Sequence, residues 1–203
     1  MTRFDDLRTD RLLMRRWRAT DRAPFAAMNA DPEVMRHFPG TMEPAASDAF
    51  VDLIERRFDA QGFGLWALEP LEPLEPLEPL EPLEPGGFIG YTGLNALPEG
   101  VPGAGGMEVG WRLARSAWGH GYATEAARAA LRVAFEGAGL PEVWSMTAIT
   151  NLPSQRVMQR LAMTESTLFE HPRIPEDSPL RPHVMYHISA GEWATRHPAA
   201  GEA

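Results

Sequence analysis

The chain has 203 residues, 44% of them hydrophobic, enough to bury one sizeable core and too few for two comfortable domains, so a single domain over residues 1–203 is expected. Its formal charge is -9, and its nineteen basic residues are all arginine and scattered along the chain, which argues against a general nucleic-acid binder and leaves a cationic substrate as the one a net negative field would attract. Cysteine is absent, which removes disulfide scaffolds, thiolate metal sites and cysteine nucleophiles. No stretch reaches the roughly 18 uninterrupted apolar residues of a membrane span, and the charged opening segment has no signal-type apolar run, so a cytoplasmic protein away from membranes is expected.

In chain order, Arg11 to Arg18 reads as a strand, and Thr20-Asp21 opens a helix that continues through Phe25 and Met28. A second helix begins near Ala46. Its apolar residues Phe50, Val51, Ile54 and Phe58 recur at three- and four-residue spacing until Gly62 ends the pattern. Six tandem Leu-Glu-Pro copies then run from Leu68 to Pro85. A proline every third residue forbids a regular helix or a central strand, so the repeat is expected to be extended and solvated. Its flanks, Phe63 to Leu68 and Phe88 to Leu94, are β-prone, which makes the repeat an insertion in a hairpin loop in preference to a docking arm.

Met107 to Leu113 alternates Met107, Val109 and Trp111 against Glu108, Gly110 and Arg112, as a half-buried strand should. A helix from about Gly121 to Phe135 turns Ala123, Ala127, Ala130, Leu131 and Ala134 inward. Val143 to Thr150 is a strand, and Asn151 caps a short helix holding Val157, Met158 and Leu161. Two more strands follow near Met163 to Phe169 and His183 to Ser189. Strands and helices interleave without strict alternation, which predicts an α/β domain of α+β type with a mixed, helix-covered sheet.

The segment Trp118 to Glu125 is glycine-rich, follows a strand and opens a helix. Gly119 and Gly121 permit a tight turn and close approach, and the free N–H groups of the first helical turn point at an anion such as a pyrophosphate. Spacing alone admits either a phosphate site or a simple turn. It is neither a Walker loop nor a dinucleotide fingerprint, because the chain has no lysine and no third glycine at the required spacing.

Met107 to Leu113, Trp118 to Ala126 and Asn151 to Met163 together resemble consecutive signatures of the GNAT acetyltransferases. The branch typified by ribosomal-protein-alanine N-acetyltransferases is the most similar, with matching segments at Thr9 to Leu13 and Asp31 to Met35. The resemblance implies a mostly antiparallel sheet splayed between two strands. It implies acetyl-coenzyme A as co-substrate, its pantetheine arm held by backbone groups of Trp111, Arg112 and Leu113 and its pyrophosphate wrapped by Trp118, Gly119, His120, Gly121, Tyr122, Ala123 and Thr124, with Asn151 nearby. A homodimer is one arrangement it allows. Departures exist: Ser116 stands where the family usually has Arg or Gln, Ala162-Met163 replaces Gly-Phe, and Met158 occupies the place of the tyrosine that many members use to protonate the leaving thiolate. Ser154 is then the nearest hydroxyl for the thiolate, or simply a first-turn residue serving a backbone N–H.

Acyl transfer needs a neutral amine, so a base must take a proton from an ammonium whose pKa is roughly 8 to 10.4. Glu108 is the candidate, directly or through water; the alternative is a strand-face carboxylate paired with Arg112. The six histidines show no metal-ligand spacing and no metal is expected. Glu125 is explained by the helix dipole. Phe38, Trp66, Phe169 and Tyr186 are candidate acceptor walls or ordinary core. The expected activity is transfer of an acetyl group to a primary amine, on a small molecule or a protein N-terminus. The alternative is a coenzyme A-binding module without turnover.

Overall fold

The computed structural model describes residues 2–72 and 87–197. β1 (Leu7–Arg8) and β2 (Leu12–Arg15) form a hairpin whose turn is closed by Thr9, its hydroxyl accepting from the Leu12 amide at 3.0 Å. The strand is shorter than its expected reach to Arg18 because Asp21 pulls the chain round. Its carboxylate accepts from the Arg18 amide at 2.7 Å and from both terminal nitrogens of Arg15 at 2.7 and 2.9 Å. Asp21 therefore does not cap α1 (Arg22–Ala30) as a helix opener would; it is buried in an ion pair instead.

α2 (Pro32–Met35) is a single turn capped by Asp31, and α3 (Pro44–Gln61) ends where Gly62 adopts a left-handed φ of 78°. Val51, Ile54 and Phe58 are buried at the spacing the sequence predicts. β3 (Leu65–Pro70) and β4 (Gly90–Ala96) pair antiparallel, the hairpin expected on either side of the repeat. The first Leu-Glu-Pro copy corrects the solvated reading. Leu68 is fully buried between Met14 and Gly90, Glu69 binds Arg15 at 2.7 Å and Arg18 at 3.0 Å, and Pro70 stands at the last strand position, where a missing N–H is tolerated. Residues 73–85 of the repeat lie outside the described residues.

β5 (Met107–Leu113) leads through a short turn to α4 (Tyr122–Arg132), which continues as a wider helical turn over Val133–Gly137. β6 (Glu142–Ala148), α5 (Leu152–Arg160), β7 (Thr164–Glu170) and β8 (Pro182–Ser189) follow near their expected places. α6 (Ala190–Arg196) was not expected, although Ser189 and Glu192 form a capping box that the sequence displays as Ser-x-x-Glu.

The eight strands lie in the order β1-β2-β3-β4-β5-β6-β8-β7, every neighbouring pair antiparallel except β5 and β6. The register places Leu12, Met14, Trp66, Leu68 and Val109 on the face covered by α4, and Arg15, Ala67, Tyr91 and Arg112 on the face covered by α1 and α3. On that second face Phe25, Phe50, Phe88, Tyr91 and Trp17 form one aromatic cluster.

The Arg15–Asp21 pair is almost wholly buried and its geometry is bidentate. Removing Asp21 leaves the buried Arg15 guanidinium with Glu69 as its remaining anion, so Asp21→Ala is expected to lower the free energy of unfolding by about 3 kcal/mol, the lower end of the cost of breaking a buried pair. Glu69→Ala, at the more exposed edge of the same network, is expected to cost less; urea unfolding midpoints of the two variants check the ranking.

Candidate active site

β4 and β5 pair over seven residues, and β6 and β8 pair over seven, yet β5 and β6 share one register pair, Glu108 with Trp144. The sheet is splayed beyond that point. The Ala114 amide donates to Ile89 at 2.9 Å, and antiparallel ladders alternate, so Arg112, Gly110 and Glu108 spend their backbone groups on β4 while Leu113, Trp111 and Val109 aim theirs at the gap. The Leu113 carbonyl is taken by the Trp118 indole N–H at 2.9 Å. The Val109 amide is used by the one bridge to Trp144, so the backbone groups free to hold an arm as an added strand are those of Trp111, the Val109 carbonyl and the Leu113 amide, and Arg112 contributes none from its backbone.

A cavity of about 600 Å³ fills the splay. Trp111, Leu113, Trp118, Gly119, Gly121, Tyr122, Ala123 and Thr124 all border it, as the sequence resemblance implies for a phosphate-bearing ligand. Gly119 and Gly121 both adopt left-handed φ, 81° and 82°, the conformation that lets the loop reverse and deliver the α4 N-terminus to the cavity. The first amides of α4 have no intrahelical partner. Beside them the Thr124 hydroxyl is buried without a hydrogen bond, an orphan that a phosphate oxygen would satisfy, so the residues fit a diphosphate. His120 is the exception: it is not on the cavity wall, its ring stacks on Tyr122 with centroids 5.5 Å apart, and its carbonyl accepts from Arg11 at 2.9 Å.

Glu125 has a larger part than dipole compensation. Burial opposes its ionisation, but the Thr9 hydroxyl at 2.6 Å, the Arg11 amide at 2.9 Å and the Arg11 guanidinium at 2.7 Å hold its pKa below the usual carboxylate range. The Arg11 guanidinium also lies 4.8 Å over the Tyr122 ring. The Thr9-Asp10-Arg11 turn therefore clamps the glycine loop from behind. Sequence reasoning missed this because the partners are more than a hundred residues apart.

Glu108 projects into the cavity from the last residue before the splay. Burial pushes its pKa up to about 7, against the Asn95 amide, which donates at 3.4 Å, and the Arg57 charge beyond it. Arg57 in turn donates to the Asn95 carbonyl oxygen. The alternative pairing with Arg112 is absent; Arg112 donates to Asn29 at 2.6 Å instead. Across the gap, Asn151 caps α5 by accepting from the Ser154 amide at 3.3 Å and donates to Thr147 at 2.8 Å. Both ends of Asn151 are thereby spent on holding α5 to β6, which presents Ser154 to the cavity with its hydroxyl unbonded among the described residues. Met158 is buried beneath them.

Of the four candidate acceptor walls only Phe38 borders the cavity. Trp66 is core and donates to the Phe4 carbonyl, Phe169 joins a small cluster with Leu97 and Val101, and Tyr186 donates to Glu165 at 3.2 Å. His37, His171 and His183 line the wall in their place, unsignalled by any spacing. The net charge misleads as well. Arg36, Arg112, Arg156, Arg160 and Arg173 border the cavity against two carboxylates, Glu33 and Glu108, among the described residues.

Comparison with known proteins agrees with this geometry. A protein of Bacillus subtilis without an assigned activity is 29% identical over 156 residues, 76% of this chain and 83% of that one. An FsC-acetyl coenzyme A-N(2)-transacetylase of Aspergillus fumigatus is 38% identical over 87 residues, 42% of this chain and 37% of the fungal protein, so this chain matches well under half of that relative's length. Among solved structures, a GNAT-family acetyltransferase of Bacillus anthracis superposes with a TM-score of 0.70 at 22% identity, covering 92% of this chain and 99% of the other. The family model for the acetyltransferase (GNAT) domain matches residues 11–164, taking in the splayed strands, the glycine loop and α5. The chain belongs to the GNAT acetyltransferase family.

Proposed function

We propose that this chain transfers an acetyl group from acetyl-coenzyme A to a primary amine by direct attack, with Glu108 as general base. The observation that carries the reading is Glu108 itself, a carboxylate at the point where the sheet opens, bordering the cavity and holding a pKa of about 7. A base poised there is about half ionised at neutral pH and basic enough to take a proton from an ammonium, directly or through one water. Trp111 and the Val109 carbonyl offer unpaired backbone groups for the pantetheine amides, and the α4 N-terminus with Thr124 faces the diphosphate.

Each residue then has one task. Glu108 removes the ammonium proton, the freed nitrogen bonds to the thioester carbonyl carbon, a backbone N–H near Trp111 supports the oxyanion, and the carbon–sulfur bond breaks to release a thiolate as the nitrogen sheds its second proton to solvent. Ser154, with its hydroxyl free, donates a hydrogen bond to that thiolate, which takes up a proton from solvent. No covalent enzyme intermediate is needed. Nitrogen as the accepting atom is supported by the fungal relative, whose name states acetyl-coenzyme A as donor and an N(2) position as acceptor. A small-molecule amine and a protein N-terminus both remain within this activity.

The test is thiol release from acetyl-coenzyme A against a panel of amines. Glu108→Gln is expected to lower kcat/KM roughly 100- to 1000-fold. The wild type should gain activity as pH rises through about 7, where Glu108 loses its proton, and then level. The variant should show no limb there and climb only toward the amine's own range. Full activity of Glu108→Gln across pH would sink the assignment of the base. Ser154→Ala is expected to lower kcat about tenfold with KM little changed, because the negative charge on sulfur develops in the transition state and is absent from the bound thioester.

The Arg11–Glu125 clamp makes Arg11 a positioning residue for the loop. Arg11→Ala is expected to raise KM for acetyl-coenzyme A about tenfold while kcat moves less than about threefold, a split that separates loop placement from chemistry. Arg11→Lys should not restore it, since one ammonium cannot reach Glu125 and the His120 carbonyl together.

A further inference from the structure

Arg112 is the one cation on the cavity wall that is both buried and without an opposite charge among the described residues. It is 9% exposed. One terminal nitrogen donates to Asn29 at 2.6 Å and touches the Met42 sulfur at 3.8 Å, and the Nε atom has no partner. The guanidinium lies 4.1 Å from the Phe38 ring centroid and 5.6 Å from that of Tyr91. Every one of these neighbours is neutral. A guanidinium keeps its charge, and burying one without an anion costs several kcal/mol that ring contacts and one amide only partly offset.

The surroundings hold the fork still. Asn29 is fully buried and its amide nitrogen donates to Ser47 at 2.9 Å, which leaves its oxygen for Arg112 and fixes the direction from which that bond comes. Strand alternation puts Arg112, Gly110 and Glu108 on one face of β5. At Gly110, between them, a β-carbon would meet nothing within 4 Å. The floor between base and guanidinium is therefore open, along four residues, about 13 Å, of strand. The described contacts of the Arg112 side chain run to Asn29, Met42 and the Phe38 and Tyr91 rings, and none to the glycine loop.

We propose that Arg112 receives the carboxylate of the acceptor, and that the acceptor is a small molecule carrying both a primary amine and a carboxylate, an amino acid or short amino carboxylate, with its amine toward Glu108. The proposal rests on the acetyl-transfer reading and narrows it: a protein N-terminus, whose carboxylate is far away in sequence, would leave the guanidinium unpaired. Arg173 on the same wall adds to the positive field an anionic acceptor would enter, whereas Arg36 is offset by Glu33 at 3.6 Å.

The experiment compares amino acids, from α-amino acids to aminohexanoate, with their carboxamides and with a peptide amide, by thiol release. The wild type is expected to favour the acid over its amide roughly 10- to 100-fold in kcat/KM, the worth of one charge-assisted paired contact. In Arg112→Gln that ratio is expected to fall to about one, and in Arg112→Lys to lie between. A wild-type ratio near one, or a ratio unchanged in Arg112→Gln, overturns the proposal. So does weaker acetyl-coenzyme A binding by Arg112→Gln with the acid preference intact, which would give the guanidinium to a phosphate. Calorimetry of the wild type with the same pairs reads the site without turnover or a foldable variant. Binding of acid but not amide supports the carboxylate site even where no thiol is released, an outcome that would sink the transfer reading alone. Equal or absent binding of both overturns the site.

Discussion

The single contact between β5 and β6 is the constraint on which the rest depends. β5 is fully committed to β4 on one side, and β6 is fully committed to β8 on the other, so the two halves of the sheet meet as separately zipped units joined at Glu108 and Trp144. Parallel neighbours need a crossover, and α4 supplies it, starting at the open end of the gap. Three things follow from one geometric fact. The backbone groups of β5 from the Val109 carbonyl to the Leu113 amide are left needing a partner on the gap side, the N-terminus of α4 is delivered beside them, and the residue at the closed end of the gap, Glu108, faces the cavity.

The pKa of Glu108 is set by a balance that the neighbouring strand tunes. Burial alone would raise it further, and a direct salt bridge would drop it below the range useful to a base. Arg57 does neither, because Asn95 stands between them, donating to the carboxylate and accepting from the guanidinium. The positive charge is felt through an amide and its effect is moderated. Placing the cation one residue removed lets the carboxylate remain ionisable near neutrality without being locked into an ion pair.

Much of this was legible in the sequence where the signal is local. The alternation of Met107 to Leu113, the glycines before α4 and Asn151 ahead of α5 each state a local geometry, and each is found where its residue types demand. What was not legible is decided by partners far apart in the chain. Asp21 has the composition of a helix cap and spends its carboxylate on Arg15, because two buried residues on a strand and a turn come together only in the folded molecule. The first Leu-Glu-Pro copy has the composition of a solvated spacer, but Leu68 falls in register with Met14 and Gly90, and burial overrides composition. Trp66 and Tyr186 could not be told from cavity walls by aromaticity, since the same rings suit a core.

Charge shows the same division between global and local. A chain with formal charge -9 and no lysine reads as a protein that attracts cations, and at long range it does. Within the cavity, where the charges are close together, the sum over the whole chain has little weight against the few groups that face inward. There arginines predominate, and guanidinium is the cation best suited to such a place, being planar, weakly hydrated and able to stack on Phe38 and Tyr91 while keeping N–H groups for an oxyanion. The charge of the whole chain is negative, whereas the cleft lining carries more arginines than carboxylates among the described residues. For a protein whose donor substrate is itself polyanionic, the sign of the cleft is the one that the chemistry requires, and the overall sign is free to serve something else.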